Sequence, residues 1–191
     1  NALGDDAKDI NHIFLTHSHA DHITDLPFII ETFFENREIP LTIYALEETI
    51  EVLKKHSFND VIWPDFTKIK LLRKDAFSLI LKPIKLDEII KIHNYSIKAI
   101  KANHISGACG FVIKKNHQGF VISGDTHINP HIWEEINNDE EIKSLVIECS
   151  YPDKLQELAK LTKHLTPELI ANELEKLTRK NLSVFYYHLK F

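Results

Sequence analysis

The chain of 191 residues is 43% hydrophobic, which is enough to bury one sizeable core, and we expect a single domain over residues 1–191. A formal net charge of −5 argues against a broad basic surface of the kind that follows a nucleic-acid backbone. The sequence also has no apolar run that approaches the roughly 20 residues of a membrane-spanning helix.

The first predicted element is a short buried strand over residues 13–15, and a dense polar cluster follows it directly. In this cluster His17, His19, Asp21 and His22 form the pattern His-x-His-x-Asp-His. Imidazoles and a carboxylate packed this densely repel one another unless they bind something, and together they are a ligand set that zinc accepts. A solvent-facing polar loop is the alternative, but this pattern of metal-competent side chains favours a metal site.

Apolar residues at helical spacing predict a helix over residues 23–34. A strand is predicted over residues 41–45, followed by a helix over residues 46–56 with glutamates towards its amino end. The loop over residues 59–66 contains breaker residues and two large aromatic side chains. We expect these aromatics to anchor the loop on the core rather than to stack on a base.

From residue 77 the pattern changes to short apolar runs broken by polar turns, which predicts a β-rich region. The predicted strands cover residues 77–84, 89–93, 95–101, 110–114 and 120–123, with a hairpin connection at 116–119. Helices are predicted near residues 130–136, over 153–161 and over 167–179, and strands over 145–147 and 182–187. The last helix has a clear start, with Thr166 as its cap and Pro167 at its first position.

Four more polar side chains lie just where predicted strands end, and they are His104, Asp125, Glu148 and His188. Ligand sites in α/β structures collect at the carboxyl ends of strands, so these residues are candidates to complete a metal site. Asp125 is the most specific of them. Gly124 before it permits a close turn, and a carboxylate has two oxygens with which to bridge two cations.

The pattern His-x-His-x-Asp-His resembles the signature of the metallo-β-lactamase superfamily. Within that superfamily the chain resembles the class II cyclic-nucleotide phosphodiesterases, from Asn11 nearly to its end. The segments that carry this resemblance are 59–66, Ser123-Gly124-Asp125-Thr126, Ile132-Trp133, 147–152, Lys163-His164-Leu165-Thr166-Pro167 and His188-Leu189-Lys190. The Trp-Pro and His-Leu-Thr-Pro segments discriminate between families, because the whole superfamily shares the metal ligands.

The resemblance implies an α/β fold, a metallo-β-lactamase-like αββα sandwich, with two bound divalent metal ions. We expect zinc, with manganese or iron as alternatives. The implied ligands are His17 and His19 for one ion, Asp21 and His22 for the other, and His104, Asp125 and His188 to complete the two, Asp125 as the bridge.

The resemblance also implies an enzyme that hydrolyses 3′,5′-cyclic nucleotides, cAMP or cGMP, to 5′-monophosphates by attack of a metal-bound hydroxide. We expect Asp21 to orient the nucleophile while it binds metal. The departing 3′ oxygen needs a proton, and His164, held by Glu148, is the expected donor.

Two alternatives remain open. A tRNase Z-like RNA endonuclease would use the same ligands and a similar glutamate and histidine pair, although the low basic content favours a small-molecule substrate. A metal-free binding module is the other alternative, but every expected ligand is present in the sequence.

The chain departs from the family pattern at three places. The segment His127-Ile128-Asn129 lies where the family usually has a glycine and an acidic residue, and Lys163 lies where it has glycine. The family's amino-terminal strands have no counterpart, so we expect the domain to be incomplete at its amino terminus. The first nine residues are polar and acidic, unlike a signal peptide.

The remaining expectations concern the cell. Cys109 and Cys149 each adjoin an apolar run, which predicts buried thiols and fits a reducing, cytoplasmic location. A periplasmic location stays open because of the missing segment. The expected partner is a small-molecule cyclic nucleotide. A membrane is not expected, nucleic acid is disfavoured, and a homodimer is left open.

Overall fold

The computed structural model describes residues 5–190, so the first four residues of the polar start lie outside the described residues. The chain divides into two compact units, Asn1–Ile84 and Lys85–Phe191. The single-domain expectation stays a prediction. Within residues 5–190, every helix is too short or too polar to cross a membrane.

The first unit contains a parallel three-stranded sheet in the order β1–β2–β3. Its strands are β1 (His12–Phe14), β2 (Leu41–Leu46) and β3 (Leu79–Ile84). Its helices are α1 (Ala20–Ile23), α2 (Leu26–Thr32) and α3 (Glu47–His56). All six residues of β2 are buried, as expected for an apolar run at the centre of a parallel sheet.

The core of the first unit forms where α2 and α3 bury apolar side chains with the strands. Its fully buried members are Ile30, Leu41, Ile43, Ala45, Ile50 and Leu53. Helix α3 is stabilised further by its charges, because acidic residues lie in its first turn and basic residues in its last turn.

The predicted helix over residues 23–34 is in fact two helices, and the first of them begins inside the polar cluster. The break lies just before Pro27, in the first turn of α2. Proline has no N–H to donate, so a continuous helix would leave the carbonyl of Ile23 without its bond. Residues 20–22 of the metal-ligand pattern are helical rather than part of a loop.

The second unit contains a six-stranded sheet in the order β4–β5–β6–β7–β8–β9. The strands are β4 (Ile89–Ile92), β5 (Tyr95–Lys101), β6 (Cys109–Lys115), β7 (Gln118–Ile122), β8 (Ile142–Glu148) and β9 (Ser183–Tyr187). The helices are α4 (Pro130–Asn138), α5 (Gln156–Thr162) and α6 (Pro167–Leu174). The predicted hairpin is confirmed, because Asn116 and His117 join β6 to β7 with positive φ angles of 49° and 60°.

Strand direction in this sheet decides where the site residues lie. Strands β4 to β7 are antiparallel neighbours, whereas β7, β8 and β9 are parallel. Strands β5, β7, β8 and β9 therefore all run the same way, and their carboxyl ends meet at one edge of the sheet. The core of this unit includes Ile132, Ile136, Leu145 and Ile147.

Helix α6 ends at Leu174, five residues earlier than predicted. The side chain of Asn137, near the end of α4, explains the early stop. Its amide donates to the carbonyl of Lys176 and its oxygen accepts from the N–H of Thr178. These bonds replace the ones that a longer helix would make.

Candidate functional site

The polar cluster of the first unit begins after β1, where the N–H of Leu15 still bonds to the Tyr44 carbonyl at 2.9 Å. His17 is fully buried and its ring contacts two other imidazoles. Ring centroids lie 4.7 Å apart for His17 and His19, and 4.1 Å apart for His17 and His22. The short helix α1 makes this possible, because its first turn, in which the N–H of His22 bonds to the His19 carbonyl at 3.0 Å, brings His22 close to His17.

The only carboxylate of the pattern, Asp21, lies beside these rings in the first turn of α1. Its Oδ2 is 3.7 Å from Nε2 of His22, and its side chain is 55% exposed. The side chain of Thr16 lies 3.1 Å from Nδ1 of His17 and helps to fix that ring. Imidazole nitrogens and a carboxylate oxygen therefore lie close together, and these are the ligand atoms that divalent cations bind. This donor set fits zinc, manganese or iron.

The second unit places Asp125 and His188 at the shared edge of its sheet. Asp125 follows β7 through Gly124, whose φ of 63° confirms that the close turn uses a conformation glycine favours. His188 follows β9 and also has a positive φ, 63°, which is unfavourable for a side chain of this size. Nε2 of His188 lies 3.5 Å from Oδ2 of the buried Asp125.

Glu148, at the end of β8, is a carboxylate of this edge with several hydrogen-bond partners. It is fully buried and accepts from the Thr126 N–H at 2.7 Å and the Leu165 N–H at 3.3 Å. Nδ1 of His164 lies 2.9 Å from its Oε1, and the hydroxyl of Ser150 lies 2.6 Å from its Oε2. Because every partner can donate, Glu148 is assigned as an ionised carboxylate and Nδ1 of His164 as protonated.

His164 lies in the connection between α5 and α6 and is 3% exposed. Its Nδ1 is also 3.9 Å from Oδ2 of Asp125. Candidate ligand atoms of Asp125, His164 and His188 all lie within 4.8 Å of one another. The geometry therefore groups His164, predicted as a proton donor, with two predicted metal ligands.

His104 follows β5 and reaches the same edge. Its Nδ1 lies 3.1 Å from the carbonyl of Lys163, and since a carbonyl can only accept, this nitrogen is assigned the proton. The other nitrogen, Nε2, then has the lone pair that a metal ligand needs. The rings of His104 and His164 are 5.0 Å apart.

A cavity of about 410 Å³ opens beside His104. Its polar lining includes Lys101, Asn103, His104, Asn129, His131 and Lys163. No carboxylate is among the described residues that line it, so it suits a negatively charged or polar ligand. Lys163 has a left-handed backbone, with φ of 57°, and its Nζ donates to the His104 carbonyl at 2.6 Å.

Sequence reasoning missed two residues of this edge. Thr126 donates its N–H to Glu148, and Ser150 contacts Glu148, His164 and His188. Both residues lie in segments that carry the family resemblance, but their partners are distant in the chain, so the local sequence does not indicate what either side chain contacts.

Tyr187, next to His188, stays neutral beside this negative edge. Burial raises the pKa of its hydroxyl, and the negative charges of Asp125 and Glu148 raise the pKa further. It therefore adds no negative charge to the edge at any physiological pH.

Comparisons with known proteins agree with the resemblance seen in the sequence. Residues 6–186 match the family model described as cAMP phosphodiesterases class-II. The chain is 27% identical over 214 aligned residues to the probable 3′,5′-cyclic-nucleotide phosphodiesterase of Yersinia pestis, covering 96% of this chain and 58% of that protein. The chain thus spans little more than half the length of this relative.

Solved structures confirm the predicted fold class. The crystal structure of unliganded yeast PDE1 matches with a TM-score of 0.82 and 26% identity, over 96% of this chain and 58% of that one. The metallo-beta-lactamase fold protein YhfI from Bacillus subtilis matches with a TM-score of 0.71 and 16% identity, over 98% and 68%. The latter identity shows the fold alone.

Proposed function

Because the chain belongs to the class II cAMP phosphodiesterases, we propose that it is a metal-dependent hydrolase of 3′,5′-cyclic nucleotides. The reaction would open the cyclic phosphate and give the 5′-monophosphate. The observation that carries this proposal is the buried pair of Glu148 and His164 beside Asp125. It supplies an imidazole held by a carboxylate, which is the kind of group that can protonate a leaving oxygen.

We propose that two divalent ions, zinc before manganese or iron, are held by the predicted ligands. These are His17, His19, Asp21 and His22 in the first unit, and His104, Asp125 and His188 in the second. Such ions, when bound, acidify water and neutralise charge on phosphoryl oxygens. The donor set supports this proposal, because neutral imidazoles and carboxylates are what these metals accept.

His164 is the proposed proton donor to the departing 3′ oxygen. Glu148 accepts a hydrogen bond from the Nδ1–H of His164, so Nε2 is the nitrogen that can hold and release the transferred proton. Burial keeps water from competing with the leaving oxygen for that proton. A positioned acid of this kind contributes about 10²- to 10⁴-fold to a rate.

Substrate class is supported by the cavity beside His104. Its volume of about 410 Å³ is within the usual range for small-molecule sites, and its lining is cationic rather than acidic. A chain of net charge −5 needs such local positive charge to attract a phosphate ester. The predicted cytoplasmic location and the homodimer stay predictions.

The testing experiment measures hydrolysis of cyclic AMP by full-length, zinc-loaded protein, with cyclic GMP and a linear bis-aryl phosphodiester in parallel. We expect preference for a cyclic nucleotide and release of the 5′-monophosphate, identified by chromatography against the 3′ isomer. A precursor tRNA forms a further arm. Cleavage of the tRNA without turnover of either cyclic nucleotide would replace this proposal with an RNA endonuclease.

A further inference from the structure

Ser150 lies two residues beyond β8 and is 1% exposed. Its hydroxyl oxygen has three side-chain partners at hydrogen-bonding distance. Oε2 of Glu148 lies at 2.6 Å, Nδ1 of His188 at 2.9 Å and Nδ1 of His164 at 3.1 Å. One small side chain therefore joins the carboxylate to both imidazoles.

The protons available to these groups decide which of them donates and which accepts in each hydrogen bond. A hydroxyl has one proton and two lone pairs, and an ionised carboxylate can only accept. Ser150 therefore donates to Glu148 and accepts the Nδ1–H of His188, which assigns the tautomer of that ring. Nε2 of His188 is left with its lone pair, and this is the atom that lies 3.5 Å from Oδ2 of Asp125.

A lone pair and a carboxylate oxygen this close repel each other unless a cation lies between them. The tautomer that Ser150 selects is thus the one a metal ligand needs. In metal sites generally, the partner of the second ring nitrogen fixes the orientation of the ligating histidine. Ser150 occupies that place for His188.

The backbone of Ser150 holds the same segment. Its carbonyl accepts the N–H of Lys190 at 3.0 Å, and the N–H of Cys149 donates to the carbonyl of Tyr187 at 2.9 Å. These bonds lie on both sides of His188, whose φ of 63° is unfavourable. The turn that aims the His188 ring is therefore held at its side chain and at both flanks.

We propose that Ser150 is a positioning residue that fixes the tautomer and orientation of His188 for metal binding and links His188 to the pair of Glu148 and His164. The inference rests on the proposed function only in taking His188 as a metal ligand. It does not depend on which phosphodiester is the substrate.

The test compares zinc affinity, measured by competition with a chromophoric chelator, for the full-length protein and three variants. Ser150→Ala removes the hydroxyl and Ser150→Thr keeps it. Ser78→Ala is the matched control, because Ser78 is another fully buried serine, and its hydroxyl bonds only to the carbonyls of Phe66 and Ile69 among the described residues.

We expect Ser150→Ala to weaken the affinity of one zinc ion about 10- to 100-fold, the usual effect of removing such a partner. Ser150→Thr should restore most of it, and Ser78→Ala should leave it unchanged. Nitrogen-15 NMR of the histidine rings should show the Nδ1–H tautomer of His188 in the unaltered protein and its loss in Ser150→Ala.

Unchanged zinc affinity in Ser150→Ala, or an equal loss in Ser78→Ala, would overturn the proposal. The outcome is independent of turnover. If the protein fails to hydrolyse cyclic nucleotides while zinc affinity still depends on the Ser150 hydroxyl, the positioning role is supported and the proposed function fails.

Discussion

Asp125 is 1% exposed, and its carboxylate faces imidazoles from two other segments of the second unit. Asp125→Asn keeps the shape of the side chain but brings an amide, whose N–H groups oppose a cation. We expect zinc affinity to fall by more than about 100-fold, since even an outer partner of a ligand is worth about 10- to 100-fold. Metal content after dialysis, measured by mass spectrometry, checks this.

Asp139→Asn is the matched control for that variant. Asp139 is also paired, with Nζ of Lys114 at 2.8 Å, but on the partly exposed side of the hairpin between β6 and β7. It should retain full metal content. If Asp125→Asn retained its metal as well, Asp125 would not be a ligand.

The variant His164→Ala distinguishes between the two roles that the position of this ring allows, proton donor and metal ligand. As a proton donor, His164 affects the reaction and not the metal, so turnover of cyclic AMP should fall about 10²- to 10⁴-fold with metal content unchanged. Parallel measurement of kcat and zinc content gives the answer. Loss of zinc would instead make His164 a ligand, as its position within 4.8 Å of Asp125 and His188 allows.

The candidate site was predictable wherever its signal is local. His17, His19, Asp21 and His22 lie in one short segment, and Asp125 follows an apolar strand through a glycine. Ser150 lies in the segment 147–152 that carries the family resemblance, but the local sequence does not indicate its contacts. Its importance arises because β8, β9 and the connection before α6 bring Glu148, His188 and His164 to one hydroxyl, and only the folded chain shows this.

At the scale of elements, Gly110 in β6 determines how closely the end of β7 can approach. A Cβ at Gly110 would lie 2.6 Å from the carbonyl oxygens of Ile122 and Ser123. Backbone cannot move aside as a side chain can, so Gly110→Ala must displace the segment that leads to Asp125. We expect a loss of about 1–3 kcal/mol in the free energy of unfolding, measured in urea.

Gly119→Ala is its control, because there the added Cβ would chiefly meet the flexible side chain of Lys114. Its loss of stability should be smaller, and its metal content should not change. Equal losses in the two variants would contradict the close approach of β7 to Gly110.

Some strands were predicted closely and the end of α6 was not, and the reason is physical. The strand predicted over residues 145–147 is longer in the structure and covers Ile142–Glu148. Strands β5 and β9 are short runs rich in β-favouring residues and bounded by polar residues, so the local sequence marks both of their ends. Helix α6 continues a favourable pattern past Leu174, and only the tertiary bonds of Asn137 end it. Helix ends that depend on a distant side chain are invisible in the local sequence.

At the scale of the whole molecule, the negative net charge opposes binding of the proposed substrate. The chain has a net charge of −5, and the proposed substrate is an anion. Described positive groups near the second-unit edge include Lys101 and Lys163, which line the cavity, and Lys190, whose N–H bonds to the Ser150 carbonyl. Bound divalent ions would add the remaining positive charge, so substrate binding should depend on metal loading more than on ionic strength.

Alkaline pH gives a prediction about global stability. Burial raises the pKa of Cys109 from its ordinary value to about 12, and Tyr187 is shifted in the same direction. Above pH 9 the unfolded chain loses the thiol proton while the folded chain keeps it, so stability falls as pH rises towards 12, by roughly 1.4 kcal/mol per pH unit for one group.

Urea denaturation at pH 8 and pH 10 measures this fall in the free energy of unfolding. Cys109→Ala should reduce this fall by roughly 1 kcal/mol. The part due to Tyr187 and the other groups with raised pKa, Tyr44 and Cys149, should remain. Any packing that the variant loses lowers stability equally at pH 8 and pH 10. An identical fall in both proteins would show that the Cys109 thiol is not the group that titrates.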